Sequence, residues 1–343
     1  MDANIGGTVA DDDAIIYTIA SNQVNAIRFM SSARTLIIGT AGGEFVVSGG
    51  GDNNAVTPTN IMIKKQSNHG AANVDAISVG NATLFLQRAK RKIRELAYNF
   101  DVDGYIAPDL TILAEHITEG NVVEMAYQEE PLAIIWCVRG DGQLIALTYQ
   151  REQEVVAWHR HIIGGSFGTG NAVVESVAVI PTEDSEYELY VVVKRTINNI
   201  TRRYVEYLHT FNFTETDNTS FNYLDSQLSL SKLQTTLTAG INAAVTTVPV
   251  ASVSGLSTAG KIKIGGEIIA YTGISTLNLT GCTRGQNSTT AVAHLSGAVT
   301  KEVVNTISGL DHLEGQTVSI LADGATHPTK VVDANGAITL DRF

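Results

Sequence analysis

The stretch from residue 132 to residue 163 constrains the fold more than any other part of the sequence. An apolar, β-branched run from Leu132 to Val138 is followed by the turn residues Arg139-Gly140-Asp141-Gly142 and by a second alternating run from Gln143 to Tyr149. Two apolar runs joined by Gly and Asp are typical of a β-hairpin. Val155 to Ile163 alternates again after a polar connection, so the stretch predicts three consecutive antiparallel strands.

The same arrangement of two apolar strands around a tight turn occurs four times before residue 210. The paired segments are 35–39 with 44–48, 83–87 with 93–98, 132–138 with 143–149, and 188–194 with 202–208. A shorter apolar strand precedes each pair, and the turns recur about every 50 residues, a period and strand length typical of β-propeller blades with four strands each. A β-sandwich with long loops is the competing interpretation.

Two segments in this region have some helical character. Residues 84–100 are rich in Arg and Lys, which favour a helix, but their place in the repeat favours a hairpin. Residues 109–116 are predicted to form a short helix, because Asp109 behind Pro108 is a suitable N-cap.

The composition favours an all-β protein and divides the chain into four parts. The sequence contains 31 Gly, 9 Phe and 2 Trp, with much Thr, Val and Ile, as expected for many short strands joined by tight turns. Residues 1–14 are predicted to be an extended N-terminal segment, and 15–232 a β-propeller-like domain. Residues 233–304, almost without aromatic side chains, are predicted to form a small β-barrel or sandwich. Residues 305–343 are predicted to form a C-terminal β segment that either returns to the first domain or ends where a longer chain was cut.

The charge and the cysteine content exclude several functions. Asp and Glu number 35 against 23 Lys and Arg, a net charge of −12, which argues against sequence-specific binding of nucleic acid. Cys137 and Cys282 have neither metal-site spacing nor the pattern of a disulfide framework. No apolar run approaches the ~20 residues of a membrane span, so none is expected. No cofactor is expected either.

Two pairs of residues are weak candidates for metal binding. Asp101 and Asp103, with Asp109 nearby, have a spacing similar to that of a calcium loop, but the full EF-hand pattern is absent and a solvated Asp-Gly turn is the alternative. His159 and His161 lie two residues apart on one face of a strand. That spacing is compatible with a metal ion, although the sequence shows no third ligand.

Three further motifs have simpler explanations. Arg139-Gly140-Asp141 matches an integrin-binding tripeptide, but a hairpin tip explains it fully. Gly49, Gly50, Gly51 and Asp52 lack the Lys and Ser or Thr of a phosphate loop, and we predict that they form a flexible loop. Glu152, Glu154 and His159 have no local context of a hydrolase. No catalytic residue is therefore predicted, and the chain is predicted not to be an enzyme.

Several segments of the first 210 residues carry a resemblance to a known family. They are IASNQVNAI at 19–27, GTAGGE at 39–44, TPTN at 57–60, FDVDGY at 100–105 and REQEVVAW at 151–158. Together they resemble the tail nozzle or tail hub proteins of short-tailed bacteriophages, of the tail tubular protein B or phage stabilisation type. KIKIGGEII at 261–269 with TRGQ at 283–286 is similar to a small β module of many phage structural proteins.

The resemblance implies a structural subunit of the virion, made in the cytoplasm of the bacterial host. Such a subunit bears a β-propeller, has no catalytic residues and joins a ring, expected to be a hexamer, below the portal and its adaptor. The implied partners are other copies, the portal adaptor, tail fibre or spike proteins, and double-stranded DNA that passes without specific binding. In such a ring, we expect the loop of Gly49, Gly50, Gly51 and Asp52 to become ordered by contact with a neighbouring subunit. Family members are longer, so we expect this chain to be part of a longer one. The alternative function is a tail adhesin that binds a cell-surface glycan or another tail protein.

Overall fold

A computed structural model describes residues 9–19, 25–32, 35–50, 55–183, 186–209, 224–230, 233–322 and 324–343. These residues form strands, turns and two short 3-10 turns, with no α-helix among them. The predicted all-β class is confirmed. The chain divides into two compact units, Met1–Thr196 with Thr201–Ser226, and Ile197–Ile200 with Gln227–Phe343. Within the described ranges, no helix is long and apolar enough to cross a membrane.

The first unit contains four antiparallel sheets that follow one another along the chain. The first sheet is β1 (Ile27–Ser32), β2 (Leu36–Thr40), β3 (Gly43–Ser48) and β4 (Met62–Ser67), and the second is β5 (Ile77–Val79), β6 (Ala82–Leu86), β7 (Ile93–Asn99) and β8 (Gly104–Ile106). The third sheet is β9 (Val122–Gln128), β10 (Ile134–Arg139), β11 (Leu144–Gln150) and β12 (Val155–His161). A small hairpin of β13 (Ser166–Phe167) and β14 (Gly170–Asn171) precedes the fourth sheet, β15 (Val173–Pro181), β16 (Tyr187–Ile197) and β17 (Ile200–Leu208). In each of the four sheets, neighbouring strands are consecutive in sequence.

The four predicted hairpins are confirmed as β2–β3, β6–β7, β10–β11 and β16–β17. The ambiguous segment 84–100 is therefore a hairpin, and the helical alternative is wrong. Turn residues with positive φ explain why the chain reverses at these points: Gly142 has φ 85°, and Asn198 and Asn199 have φ 48° and 60°. Two successive residues with positive φ are the requirement of the tight hairpin turn whose twist matches that of the strands.

The short helix predicted for residues 109–116 is wrong. The segment forms successive tight turns, in which the Ala114 N–H donates to the Thr111 carbonyl at 2.8 Å and the Ile117 N–H to the Ala114 carbonyl at 2.9 Å. The predicted cap does form locally, because Asp109 Oδ1 accepts from the Thr111 N–H at 2.9 Å. So short a segment gains little stability from helix propensity, and the turns place Ala114 and Ile117 in the core beside the second and third sheets.

The core of the first unit consists of layers between successive sheets. Strand alternation sends neighbouring residues to opposite faces, so Phe85 faces the first sheet while Leu84 and Leu86 face the third. In the third sheet, Ile135 and Cys137 face the second sheet, and Trp136 and Val138 face the fourth. The second and third sheets are thus packed on both faces, which explains why their central strands β6, β10 and β11 read as nearly continuous apolar runs.

The second unit contains shorter strands. They are β18 (Gln234–Thr236), β19 (Thr247–Pro249), β20 (Gly260–Ile264), β21 (Glu267–Tyr271), β22 (Gly273–Ser275), β23 (Asn278–Thr280), β24 (Thr283–Gln286), β25 (Val299–Val303), β26 (Thr306–Ile307), β27 (Thr317–Ala322), β28 (Ala325–Val331) and β29 (Ile338–Thr339). A five-stranded sheet has the order β18-β25-β20-β21-β24, and a three-stranded sheet has the order β19-β23-β22. The strands in 305–343 pair among themselves, β26 with β29 and β27 with β28.

Candidate functional site

Asp101 and Asp103 lie in the exposed turn between β7 and β8. The Tyr98 hydroxyl donates to Asp103 Oδ1 at 2.6 Å, and the Asp101 N–H donates to Asn99 Oδ1 at 2.9 Å. Side chains that accept from backbone N–H groups in this way stabilise the turn itself. Within the part of the chain that the structure describes, no group of three or more His, Cys, Asp or Glu is arranged to hold a metal ion. Metal binding by these two residues stays a prediction.

The predicted interaction loop is described only in its first half. Gly49 and Gly50 follow β3, and the Gly50 N–H donates to Asn60 Oδ1 at 2.7 Å. Gly51 and Asp52 lie outside the described residues. An interaction role for Gly49 to Asp52 therefore stays a prediction.

The side chains of the Arg139-Gly140-Asp141 tripeptide form hydrogen bonds within the hairpin and to the preceding turn. The Arg139 guanidinium donates to both carboxylate oxygens of Asp141, to Gln143 Oε1 at 2.9 Å and to the Ile117 carbonyl at 3.0 Å. This agrees with the interpretation of the tripeptide as a hairpin tip. Glu152 and Glu154 are exposed beside the 3-10 turn that precedes β12, and His159 lies further along that strand.

A chain of polar side chains lies on the face of the third sheet that packs towards the fourth. His159 and His161 both point to this face, and their ring centroids are 4.9 Å apart. His159 Nδ1 lies 2.7 Å from His161 Nε2. The outer nitrogens also have partners, since Thr148 Oγ1 lies 3.1 Å from His159 Nε2 and Asp225 Oδ1 lies 2.7 Å from His161 Nδ1. We call Thr148, His159, His161 and Asp225 the histidine chain.

The hydrogen-bond partners determine the tautomers of His159 and His161 when both rings are neutral. A carboxylate only accepts, so His161 must carry its proton on Nδ1, where it donates to Asp225. His161 Nε2 then accepts from the Nδ1–H of His159, and His159 Nε2 accepts from the Thr148 hydroxyl. Burial lowers the pKa of His159, and the neighbouring His161 lowers it further, which favours this neutral state.

Packing and backbone contacts hold the histidine chain in place. The Trp136 ring lies against both imidazoles, with centroids 5.0 Å from His161 and 6.2 Å from His159. Asp225 is anchored separately, because the Ile162 N–H donates to its Oδ2 at 3.1 Å. The sequence showed the two histidines but missed Thr148 and Asp225. Asp225 is 64 residues from His161, and no local pattern marks it.

The second unit contains a buried ionic cluster that joins the two segments that resemble a phage module to the residues that follow them. Glu267 has a fully buried side chain, and Arg284 donates to both of its carboxylate oxygens at 2.7 Å. His294 Nε2 lies 2.8 Å from Oε2, and the N–H groups of Gly285 and Val292 donate at 3.1 Å. We call these five residues the Glu267 cluster.

The donors around Glu267 keep its carboxylate charged. Burial alone would raise the pKa, but the hydrogen bonds from Arg284, Val292, His294 and Gly285 outweigh burial and lower the pKa to about 2. Gly285 has φ 62°, a conformation that favours glycine, and this explains the Arg284-Gly285 pair in the motif. The cluster ties β21 to β24 and to the segment that follows, so its role is to hold the module together.

Comparisons with known proteins give little further information. No family model matches the sequence, and no curated protein matches it. Among the solved structures that match, one aligns over 44% of this chain and 50% of its own, at 14% identity and a TM-score of 0.24. It is a luciferin-regenerating enzyme. The chain thus spans about half the length of that structure, and a TM-score this low carries no argument about the present chain.

The comparison nevertheless corrects one expectation. The chain was predicted not to be an enzyme, and the structure that aligns with it is named as one. The exclusion of enzymatic activity is therefore withdrawn. The alignment assigns no activity to this chain.

Proposed function

We propose that the chain is a structural subunit of the tail nozzle or hub of a short-tailed bacteriophage. Copies of it would form a ring-shaped conduit for DNA ejection below the portal and its adaptor. The observation that carries the proposal is the succession of four antiparallel sheets packed face to face in chain order. The described parts of the segments that resemble the nozzle family lie in or beside these sheets.

In this proposal the four sheets are consecutive blades of a β-propeller. Three of them are complete four-stranded meanders and the fourth has three strands. The second and third blades each contribute one apolar face to the layer before them and one to the layer after them, as radial repetition requires. The spacing of the hairpins in the sequence supports the same arrangement.

The fourth sheet offers a surface on which copies would associate. Its face towards the third sheet is buried, whereas Val205 on the opposite face is 73% exposed and Tyr207 is 55% exposed. Glu175 on β15 pairs with Arg203 and Lys194 and supplies charge beside these apolar groups. Apolar side chains beside polar ones are typical of surfaces that bind other proteins. A ring requires contacts of this heterologous kind, in which one surface meets a different surface of the next copy.

The charge of the chain suits a conduit for DNA. A net charge of −12 would repel phosphates if the acidic side chains line the channel. Passing DNA would then be kept from binding to the wall. A basic channel in the assembled ring would contradict this part of the proposal.

Electron microscopy and mass photometry of the purified protein test the proposal. We expect closed rings of one copy number with a central opening wide enough for duplex DNA. Val205→Asp should shift the population towards single copies, because it places a charge in the contact surface. Leu113→Asp is the matched control, since Leu113 is 94% exposed in a turn away from the fourth sheet. Wild-type protein that stays monomeric at high concentration and binds glycans on an array would instead favour the adhesin.

A further inference from the structure

We propose that His159 and His161 form a binding site for a divalent transition-metal ion, with Thr148 and Asp225 orienting the two rings. The inference is independent of the nozzle proposal. It depends on the direction in which the four ring nitrogens point.

The two inner ring nitrogens of the histidine chain lie next to each other. His159 Nδ1 and His161 Nε2 face each other at 2.7 Å, while the outer nitrogens are held by Thr148 and Asp225. Metal-binding histidines almost always have the second ring nitrogen hydrogen-bonded to a carboxylate, a carbonyl or water, which fixes the ring and raises its basicity. Asp225 fills this role for His161, and the Thr148 hydroxyl fills it for His159.

The distance between the inner nitrogens is close to what a metal ion needs. With Zn–N bonds of about 2.0–2.1 Å, two ligands of a tetrahedral ion lie about 3.3 Å apart. The nitrogens must therefore separate by about 0.6 Å, which small rotations of two side chains on one strand face achieve. Asp225 and Thr148 hold the outer nitrogens of the two rings, so each ring can rotate while its outer hydrogen bond is kept.

Binding of the ion keeps both outer hydrogen bonds of the histidine chain. The ion replaces the hydrogen atom between the two rings, and the proton of His159 moves from Nδ1 to Nε2. The Nε2–H then donates to Thr148 Oγ1, and His161 continues to donate from Nδ1 to Asp225. The carboxylate of Asp225 supplies negative charge that offsets part of the charge of the ion.

The ligand set selects a class of metal ions. Two neutral imidazoles suit copper, nickel and zinc, and the general order of affinities places Cu²⁺ above Ni²⁺ and Zn²⁺. The His161 side chain is 17% exposed and that of Asp225 is 33% exposed, so the site has access to solvent. Water would complete the coordination. No third His, Cys, Asp or Glu joins the pair within the described ranges.

Titration of the untagged full chain with Cu²⁺, followed by calorimetry and tryptophan fluorescence, tests the site. We expect one ion per chain and quenching of fluorescence at one equivalent, because the Trp136 ring lies 5.0 Å from that of His161. Electron paramagnetic resonance of the copper form should show coupling to two imidazole nitrogens. Zn²⁺ should compete for the same site.

Variants separate this site from adventitious binding. His159→Gln and His161→Gln remove a metal ligand but keep a hydrogen-bonding side chain, and each should weaken binding at least tenfold. Asp225→Asn should weaken it by about tenfold, the lower end of the cost of losing an orienting partner. His116→Gln is the control and should have no effect, since His116 is exposed in a turn. Equal copper affinity in wild type and in both histidine variants would overturn the proposal.

Discussion

Replacing Glu267 by Gln should destabilise the second unit by several kcal/mol. Glutamine has nearly the same size as glutamate, but it lacks the negative charge and turns an amide N–H₂ towards groups that are themselves donors. Arg284 and His294 would lose their common acceptor in a fully buried position. The change therefore tests the charge of the Glu267 cluster with little change in packing.

The magnitude follows from the pKa of Glu267. The hydrogen bonds lower it from 4.5 to about 2. One pKa unit corresponds to about 1.4 kcal/mol, so the charged carboxylate contributes about 3 kcal/mol to the stability of the folded state at neutral pH. Breaking a buried ion pair by removing one partner costs about 3–5 kcal/mol in other proteins, which agrees with this value.

Hydrogen exchange measured on peptides that cover β21 and β24 is the suitable assay. Tryptophan fluorescence would not report on this unit, since Trp136 and Trp158 both lie in the first. A loss of about 3 kcal/mol should lower protection in β21 by about two powers of ten. Glu314→Gln, which changes a partly exposed acid in the same unit, should change protection by less than about tenfold. Similar protection in wild type and Glu267→Gln would refute the reasoning.

The lowered pKa of Glu267 also determines how the stability of the second unit should depend on pH. The folded-state pKa lies below the unfolded value, so the contribution is fully present above about pH 4.5 and is lost as the pH falls towards about 2. Wild-type protein should lose stability of the second unit in this window. The Glu267→Gln variant, already without the charge, should show a smaller loss, and an equal loss in both proteins would contradict the assignment.

Three further predictions concern the first unit and the thiols. Gln128→Ala should lower the free energy of unfolding by about 1–3 kcal/mol in urea unfolding followed by fluorescence, because the buried Trp136 N–H donates to Gln128 at 2.8 Å and would lose its acceptor. A loss below about 0.5 kcal/mol would contradict this prediction. Ile135→Ala should cost about 2–5 kcal/mol in the same assay, since the side chain is fully buried between two sheets, and a near-neutral result would mean that the layer collapses around the gap. Burial raises the pKa of both Cys137 and Cys282, so neither should react with a thiol reagent until denaturant is added, and rapid labelling of native protein would refute this.

Local patterns predicted the strands of the first unit well, for a physical reason. Its sheets are meanders in which each strand pairs with its sequence neighbour, so turn residues and alternation contain most of the required information. The hairpin around Gly142 and the one around Asn198 were both located in this way. The short helix at 109–116 was wrong because so short a segment gains little stability from helix propensity, and the chain forms successive turns there instead.

Contacts between distant residues could not be predicted in this way. In the second unit β18 pairs with β25, where Thr235 lies opposite Thr300, and no local signal specifies such a pair. The same holds for the histidine chain, whose Asp225 comes from a separate segment. Glu267 was noticed only as part of a resemblance, because the four residues that donate to it approach it only in the folded module.

The succession of the four sheets also bears on how the chain folds during synthesis. Each sheet closes from strands that leave the ribosome one after another, so its pairing does not wait for residues far downstream. Short sequence separations between contacting residues favour fast folding, and early pairing shortens the time for which strand edges stay exposed. The second unit should form more slowly, because β18 cannot pair until β25 has been synthesised. The first unit would therefore be ordered while the second is still being made.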